Sequence, residues 1–232
     1  MRRLSGALSL ALLVILVCAC GTLAVSWDLI YEGDKVPDDP VLGDDVWDFY
    51  GTTDICKITP GDELHITDPS DKTCHLLKPV ENGEKGTVEA RVKILSQAGD
   101  SYTILMGIED GVIYTWINLY PDYIQLDGGE SHDVDMSEYH ILRLTRDGAD
   151  VTVYVDDEEV IVGQPSRAGT RKDIIFGSGS TAGTGEHYWD YVVFTMEGAF
   201  SPEELPNYPS TLAVESKGKV ATYWGMLKSQ CW

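Results

Sequence analysis

Three side chains suited to contacting a sugar alternate along one predicted strand. Tyr114, Trp116 and Asn118 lie at every second position of Val112–Leu119, and the pleat of a strand places such residues on one face. Aromatic rings stack on the apolar faces of sugar rings, and an amide exchanges hydrogen bonds with hydroxyl groups. The positions between them are mostly aliphatic and predict the core-facing side. We therefore predict a ligand-binding face at Tyr114, Trp116 and Asn118.

Two arginines are predicted to extend this face. Arg91 lies on the polar side of the predicted strand Gly86–Leu95, and Arg143 interrupts an otherwise apolar strand. A guanidinium group donates several hydrogen bonds in one plane, which suits sugar oxygens as acceptors. The alternative is that the aromatic side chains form a second packing layer beneath Asp34–Asp54, a stretch rich in Asp, Pro and Gly.

No known catalytic or metal-binding spacing occurs in the sequence. The Gly/Ser run at 177–180 lacks the helix that follows a nucleophile elbow and the lysine of a phosphate-binding loop. The five histidines have no His-Glu-x-x-His spacing, which argues against zinc. The acidic clusters at 130–135 and 156–159 are predicted to be solvated loops. A non-enzyme is favoured over an enzyme, and both stay open.

The net charge of −21 narrows the possible partners. A strongly acidic chain has no basic excess with which to displace counterions from phosphates, so nucleic acid is excluded as a partner. An anionic membrane surface is disfavoured for the same reason. Neutral ligands and hard cations such as Ca2+ remain.

The first twenty residues are predicted to be an export signal. Arg2 and Arg3 precede an apolar run, Ala7–Val17, that is too short to span a bilayer. The sequence Val-Cys-Ala-Cys-Gly that ends this segment resembles a bacterial lipobox, which implies a lipid on Cys20 and removal of the residues before it. The alternative is cleavage by signal peptidase after Ala24. Either reading predicts an exported protein, held at the cell envelope by its lipid or secreted, with contact to the membrane only through that anchor.

Export changes what the cysteines predict. Cys56 and Cys74 lie 18 residues apart, and an oxidising compartment permits a disulfide between them. Two buried thiols are the alternative. No Cys-x-x-Cys spacing points to zinc or to a redox dithiol, and Cys231 has no evident mate.

A period of two recurs through most of the chain and predicts an all-β fold. The dipeptides Asp110-Gly111, Asp147-Gly148 and Asp156-Asp157 supply hairpin turns. One helical turn is predicted at Ser201–Glu204, with Ser201 as its cap and Pro202 in its first position. The predicted strands are Trp27–Glu32, Glu63–Thr67, His75–Val80, Gly86–Leu95, Tyr102–Glu109, Val112–Leu119, Tyr123–Leu126, Tyr139–Arg146, Asp150–Val155, Asp173–Gly177 and Tyr188–Thr195.

The order of these segments resembles the concanavalin A-like lectin/glucanase jelly roll in its laminin-G-like form. Its most specific part is the last strand with the "AFSPEEL" segment that follows it. The resemblance implies an antiparallel two-sheet sandwich over residues 25–205, one short helix after the last strand, and a tail at 206–232. Superfamily members include sugar-binding modules, glycoside hydrolases, lyases and adhesion domains. The Glu-x-Asp-x-x-Glu pattern of the two-carboxylate hydrolases is absent here.

The same resemblance implies a structural Ca2+ near the last strand. Asp190 is an acid on a mainly apolar strand, where an uncompensated charge is costly. In similar superfamily members the strand acid binds calcium together with oxygens near the first strand, which here implies Glu32, Gly33 and Asp34. The alternative is an Asp190 carboxylate that accepts backbone hydrogen bonds or pairs with an arginine.

Together these features predict an exported binding domain whose leading ligand class is a glycan held on the concave sheet. An enzyme acting on a polysaccharide is the first alternative. A structural or adhesive domain that binds a surface protein, for instance through Trp224 in the tail, is the second.

Overall fold

The computed structural model describes residues 26–36, 47–165 and 167–208. The predictions on the leader, Cys20, Cys231 and the tail beyond residue 208 lie outside the described residues. The described chain forms sixteen strands: β1 (Leu29–Tyr31), β2 (Asp48–Gly51), β3 (Cys56–Ile58), β4 (Leu64–Asp68), β5 (Cys74–Pro79), β6 (Lys85–Ala98), β7 (Ile104–Glu109), β8 (Ile113–Leu119), β9 (Tyr123–Leu126), β10 (Ser131–Asp133), β11 (His140–Asp147), β12 (Asp150–Val155), β13 (Glu158–Gly163), β14 (Arg167–Ala168), β15 (Asp173–Ser178) and β16 (Thr184–Thr195).

The strands form two antiparallel sheets of eight strands each. In the first sheet the order is β13-β12-β11-β6-β16-β4-β3, and β1 pairs with β16. In the second sheet the order is β10-β9-β8-β7-β15-β5-β2, and β14 pairs with β8. Successive strands β4, β5, β6 and β7 alternate between the sheets, so the chain builds a two-sheet sandwich as predicted.

The core lies between the two sheets and follows from alternation along the strands. On β6 the residues Val88, Ala90, Val92 and Ile94 are fully buried and belong to the main core cluster. The residues between them point to the outer face of the first sheet. The second sheet contributes its own alternating set, which includes Ile104, Met106, Ile108, Ile174 and Phe176.

Every strand predicted from alternation is present, with ends that differ by a few residues. Asp156 and Asp157 adopt φ angles of 47° and 73° and fold β13 back onto β12, as the turn chemistry predicted. The turn into β13 was predicted, but the strand itself was not. The sequence also did not predict β2, β3, β10, β14 or a short 3-10 helix at Thr53–Ile55. These elements are two to four residues long, which is too short for alternation to be recognised.

The segment after the last strand forms one helical turn. The Leu205 amide donates to the Ser201 carbonyl oxygen at 3.0 Å, and the Glu204 carboxylate accepts from the Ser201 amide at 3.0 Å. Both contacts match the capped turn expected there. Within the described ranges, no helix has the length and apolar character needed to cross a bilayer.

The stretch Asp34–Asp54 contributes to the sandwich where it is described. Trp47 is buried, with its ring 5.0 Å from that of Phe176 and 5.9 Å from that of Phe194. The next residues form β2, which pairs with β5 at the edge of the second sheet. This part of the stretch therefore extends the second sheet in its own plane.

Cys56 and Cys74 approach each other across the core. Cys56 begins β3 in the first sheet and Cys74 begins β5 in the second, and their Sγ atoms are 3.1 Å apart. A disulfide requires about 2.05 Å, so the atoms are in contact and unbonded. A bond between them would tie the two sheets together.

We expect oxidation to form this bond and to stabilise the fold by about 3 kcal/mol, because it closes a loop of about 18 residues in the unfolded chain. Mass spectrometry should show the loss of two hydrogen atoms, and urea unfolding should shift to higher urea. A Cys56→Ser/Cys74→Ser variant should show neither change. An oxidised protein that retains both thiols would contradict the predicted disulfide.

Candidate functional site

The predicted aromatic face lies on the outer side of the second sheet. Ile117 and Leu119 on β8 belong to the core, whereas Trp116 and Tyr114 belong to a separate cluster on the other side of the sheet. Asn118 alternates with Ile117 and Leu119 and shares the outer face. The division of β8 into two faces is therefore as predicted.

Trp116 is packed within this face. Its side chain contacts Leu105 and Ile175, is only 7% exposed, and stacks on Tyr114 with ring centroids 4.8 Å apart. A Cβ atom at Gly107 would lie 2.7 Å from Trp116 Cδ1, so this glycine on β7 leaves room for the indole. The indole Nε1 donates to Glu109 Oε1 at 3.0 Å. For Trp116 the structure therefore supports the alternative prediction, in which the aromatic side chain packs within the protein.

The more exposed part of the face combines tyrosines with arginines. The Arg167 guanidinium lies 5.1 Å from the ring centroids of both Tyr102 and Trp116, and Arg171 lies 5.5 Å from that of Tyr114. The side chains of Arg167 and Arg171 are 38% and 36% exposed. We refer to these five residues as the aromatic–arginine patch.

Each arginine of the patch is oriented by a carboxylate. Arg167 Nε donates to Asp127 Oδ2 at 2.5 Å, and Arg171 Nη2 donates to Glu109 Oε1 at 2.8 Å. Neither arginine was predicted as a site residue. Arg167 lies in the two-residue β14 and Arg171 in the loop before β15, where no alternation assigns a residue to a face.

Several buried polar atoms on this face have no hydrogen-bond partner among the described residues. They are His75 Nε2, Glu109 Oε2, Asn118 Oδ1 and Arg171 Nε. The residues His75, Glu109 and Asn118 are 5%, 0% and 1% exposed, and buried polar atoms are normally paired. We refer to these four atoms as the open polar atoms.

Strand pairing places His75 and Asn118 in one row across the second sheet. His75 pairs with Gly177, Gly177 with Leu105, and Leu105 with Asn118. With about 4.8 Å between neighbouring strands, the two residues are about 14 Å apart along that row. Trp116 occupies the adjacent row, opposite Gly107. Asn118 therefore lies next to Trp116 along β8, whereas His75 lies three strands away, at the other end of the same row.

Electrostatics at the site follow from burial. Burial raises the pKa of the Glu109 carboxyl group, while Arg171 and the Trp116 indole oppose that shift. Burial lowers the pKa of His75 to about 4, and the positive charge of Arg171 contributes to that decrease. His75 is consequently neutral at pH 7.

Ser178 and His75 do not form a nucleophilic pair. Ser178 Oγ donates to the Asp68 carboxylate, and His75 Nδ1 lies 3.2 Å from the Ser178 backbone carbonyl oxygen. No imidazole nitrogen is therefore placed to remove the hydroxyl proton.

Arg91 and Arg143 do not belong to this face. Both lie on the outer face of the first sheet, on β6 and β11. Arg143 is 1% exposed and pairs with Glu89, with Arg143 Nη2 2.5 Å from Glu89 Oε2. The expectation that they contact the same ligand as Tyr114 is corrected by the structure, because the core separates the two faces.

Asp190, the acid predicted to bind calcium, forms an ion pair with an arginine. Asp190 Oδ2 accepts from Arg91 Nη1 at 2.6 Å, which is the pairing weighed as the alternative. Glu32 accepts from the Tyr208 hydroxyl at 2.8 Å, and Asp34 lies 3.9 Å from Lys35 Nζ. Gly33 packs against the Asp190 backbone carbonyl. Across the described ranges, no group of three potential ligands surrounds a common point. These residues do not fit a Ca2+ ion.

We expect excess chelator to leave the melting temperature unchanged, because the Arg91 guanidinium already neutralises Asp190. Thermal unfolding with added Ca2+ and with EDTA checks this. A rise with Ca2+ that an Asp190→Asn substitution removes would contradict the assignment of Arg91 as the partner.

Comparisons with known proteins show the fold. No protein family profile matches the chain, and no curated protein sequence matches it. Domain 4 of AbnA, a GH43 extracellular arabinanase from Geobacillus stearothermophilus solved with arabinotriose, is similar with a TM-score of 0.52 and 16% identity; the match covers 77% of this chain and 96% of that domain. A sialidase matches with a TM-score of 0.52 and 14% identity, over 75% of this chain and 19% of the sialidase.

A third solved structure is the VIP36 exoplasmic/lumenal domain in its Ca2+/Man-bound form, with a TM-score of 0.46 and 14% identity over 69% of this chain and 87% of that domain. The solved structures that resemble this chain are concanavalin A-like jelly rolls, and this chain has the same fold. They include both carbohydrate-binding proteins and enzymes that cleave carbohydrates.

Proposed function

We propose that the protein binds a glycan on the outer face of the second sheet without cleaving it. The observation that carries this proposal is the set of open polar atoms on the same sheet face as the aromatic–arginine patch. Buried polar atoms without partners cost free energy in the unliganded protein. These atoms are covered by neighbouring side chains, so a ligand recovers that cost only where those side chains move aside to admit it. Aromatic rings with a few convergent polar groups are the usual composition of a sugar site.

The structural comparison supports the ligand class. The arabinanase domain, 96% of which matches this chain, was solved with a bound oligosaccharide, arabinotriose. A similarity of 16% identity supports a shared fold only, so a shared class of ligand is part of our proposal. Tyr102, Tyr114, Arg167 and Arg171 provide the contact surface, and Trp116 supports them from beneath.

A panel of soluble oligosaccharides, measured by calorimetry and analysed for breakdown products, tests the proposal. We expect a subset to bind intact, and Tyr102→Ala to weaken that binding about tenfold through loss of ring stacking. Tyr188→Ala, which removes a tyrosine from the outer face of the first sheet, is the matched control and should bind normally. No binding across the panel would refute the proposal, and cleavage of the bound glycan would identify the protein as an enzyme.

Replacement of Trp116 should lower the free energy of unfolding more than replacement of the exposed residues of the patch does. We expect Trp116→Ala to lower the free energy of unfolding by about 3 kcal/mol, because it leaves a cavity beside Leu105 and Ile175 and removes the donor to Glu109. Urea unfolding measures this loss. A Trp116→Ala protein of unchanged stability that has lost glycan binding would show that the indole is itself a contact surface.

We also propose that the protein is exported and carries a lipid on Cys20. The apolar segment with its lipobox-like end supports this. A glycan-binding domain at the cell envelope would meet polysaccharides directly, and an oxidising compartment would favour the bond between Cys56 and Cys74.

A further inference from the structure

We infer that the site selects neutral, hydroxyl-rich oligosaccharides and rejects acidic ones. This inference rests on the proposed function and names the ligand class more narrowly. It follows from which open polar atoms carry hydrogen and which carry lone pairs, and from the balance of charge around the patch.

The open atom of His75 is an acceptor. His75 Nδ1 lies 3.2 Å from the Ser178 backbone carbonyl oxygen. A carbonyl oxygen can only accept, so Nδ1 carries the ring hydrogen. The neutral imidazole then has its lone pair on Nε2, which is the open atom. A ligand must offer this nitrogen an O–H or N–H group.

The open atoms of Asn118 and Glu109 are acceptors as well. The Asn118 amide donates from Nδ2 to Asp127 Oδ1 at 3.2 Å, which leaves its carbonyl Oδ1 open. Glu109 Oε1 accepts from Arg171 and Trp116, and Oε2 of the same carboxylate is open. Three of the four open atoms therefore accept hydrogen bonds, and only Arg171 Nε donates.

Sugar hydroxyl groups supply the donors that these atoms lack. Each hydroxyl donates one hydrogen bond and accepts others. A uronate carboxylate only accepts, so that group cannot satisfy Nε2 of His75 or Oδ1 of Asn118, whereas the hydroxyl groups of the same sugar can. Discrimination against acidic sugars therefore depends on charge. The separation of about 14 Å between these two residues requires several linked sugar units to reach both.

The charge around the patch opposes an acidic ligand. The two arginines are already matched by Asp127 and Glu109 at 2.5 and 2.8 Å. Asp173 and Asp48 add two more carboxyl groups on the same face. Asp173 is two residues before the outward-facing Ile175 on β15, and Asp48 pairs with the outward-facing Leu77. The face has more acids than bases, in a chain of net charge −21. An incoming carboxylate is repelled, most strongly at low ionic strength.

The test compares neutral and acidic oligosaccharides of equal length by calorimetry at low salt. Arabinan, mannan, xylan and β-glucan fragments form the neutral set, and alginate and polygalacturonate fragments form the acidic set. We expect at least one neutral fragment to bind and every acidic fragment to bind at least about tenfold more weakly. If an acidic fragment binds more tightly than the neutral ones, this inference is overturned and the proposal of glycan binding stands. If no fragment of either set binds, the proposal of glycan binding itself is overturned.

Two variants test the named atoms. His75→Phe keeps an aromatic ring against Tyr50, 5.1 Å away, and removes the Nε2 acceptor, so we expect about tenfold weaker neutral binding. Its control is His65→Phe, which changes a histidine stacked 4.2 Å from Tyr188 on the first sheet and should bind normally. Unchanged binding by folded His75→Phe overturns the role of Nε2.

The second variant keeps the inference testable if His75→Phe does not fold. Glu109→Gln removes the charge that neutralises Arg171, so we expect the preference for neutral over acidic fragments to fall about tenfold. Glu186→Gln is the control, since Glu186 pairs with His65 at 3.1 Å on the other sheet. A preference that does not respond to Glu109→Gln contradicts the charge argument.

Discussion

Acidification from pH 7 to pH 3 is expected to make the native protein lose stability at two histidine side chains. Both side chains are buried in the neutral form. Burial lowers the pKa of His187 to about 3 and that of His75 to about 4, against 6.5 in the unfolded chain. At these two residues the unfolded chain therefore binds more protons below pH 6.5 than the native protein does, so their contribution to stability falls as the pH falls.

His187 has the larger effect because its surroundings favour the neutral ring. It is fully buried on β16, and its Nδ1 accepts a hydrogen bond from Trp189 Nε1 at 2.6 Å. Protonation of Nδ1 would break this bond and place a charge in the core. The difference between pKa values of 6.5 and about 3 corresponds to about 5 kcal/mol. The corresponding value for His75 is about 3 kcal/mol.

Asp68 acts in the opposite direction. Burial raises its pKa from 3.8 to about 6, although the hydrogen bond from Ser178 limits the shift. Between pH 6 and 3.8 the native carboxyl group holds a proton that the unfolded chain has released, so stability rises as the pH falls. This gain is about 3 kcal/mol. For these three groups the two histidines outweigh Asp68 by about 5 kcal/mol. Glu89, Glu109, Asp173 and Asp190 also have raised pKa values and act in the same direction as Asp68.

Urea unfolding at a series of pH values measures the effect. His187→Gln retains an acceptor for Trp189 and cannot be protonated, so its stability should depend less on pH by about 5 kcal/mol. His132→Gln changes a partly exposed histidine on β10 and should follow the original protein. If the stability of His187→Gln depends on pH as that of the original protein does, the buried ring of His187 does not resist protonation.

The sequence predicts the fold well because alternation is a local property. Val88, Ala90, Val92 and Ile94 reveal their common face without any knowledge of the neighbouring strands. Aspartate and glycine at the hairpin turns add a second local signal. Strand β2 carries neither signal, because all four of its residues are exposed at a sheet edge.

Residues form one site only if they lie on the same face of the same sheet. Alternation assigns a residue to a face of its strand but does not show which sheet that strand joins. A sandwich has two outer faces, and Arg143 alternates as regularly as Trp116 does. Only the pairing of β11 with β6, and of β8 with β7, separates the two residues. Arg167 and Arg171 are missed for a different reason, because they lie in β14 and an adjoining loop with no periodic pattern.

The buried pair of Arg143 and Glu89 provides the second large effect. Arg143 Nε donates to Glu89 Oε2 at 3.0 Å, and its Nη1 donates to the Leu205 carbonyl oxygen at 2.7 Å. Glu89 Oε1 accepts from the Tyr191 hydroxyl and the Tyr208 amide, at 2.9 and 2.8 Å. The pair therefore joins the first sheet to the segment that ends the described chain. Its polar contacts are already satisfied within the protein, which explains why Arg143 serves structure here.

We expect Arg143→Met to lower the free energy of unfolding by about 3–5 kcal/mol, because it leaves the fully buried Glu89 carboxylate without its cation. Adding Glu89→Gln should recover more than half of the loss, since glutamine still accepts from Tyr191 and carries no charge. Lys85→Met is the control on the same two strands. Its partner Asp147 is 57% exposed, so the change should cost less than about 1 kcal/mol.

Urea unfolding of the single and double variants distinguishes two sources of the loss. If the unpaired charge dominates, the double variant is much more stable than Arg143→Met. If the contacts of Arg143 with Leu205 and Asn207 dominate, the double variant is as unstable as the single one, because glutamine at position 89 restores neither contact. The first result is expected, since a buried unpaired carboxylate costs more than the loss of two hydrogen bonds to the segment that ends the described chain. Glycan binding should survive in every folded variant, because the core separates this pair from the aromatic–arginine patch.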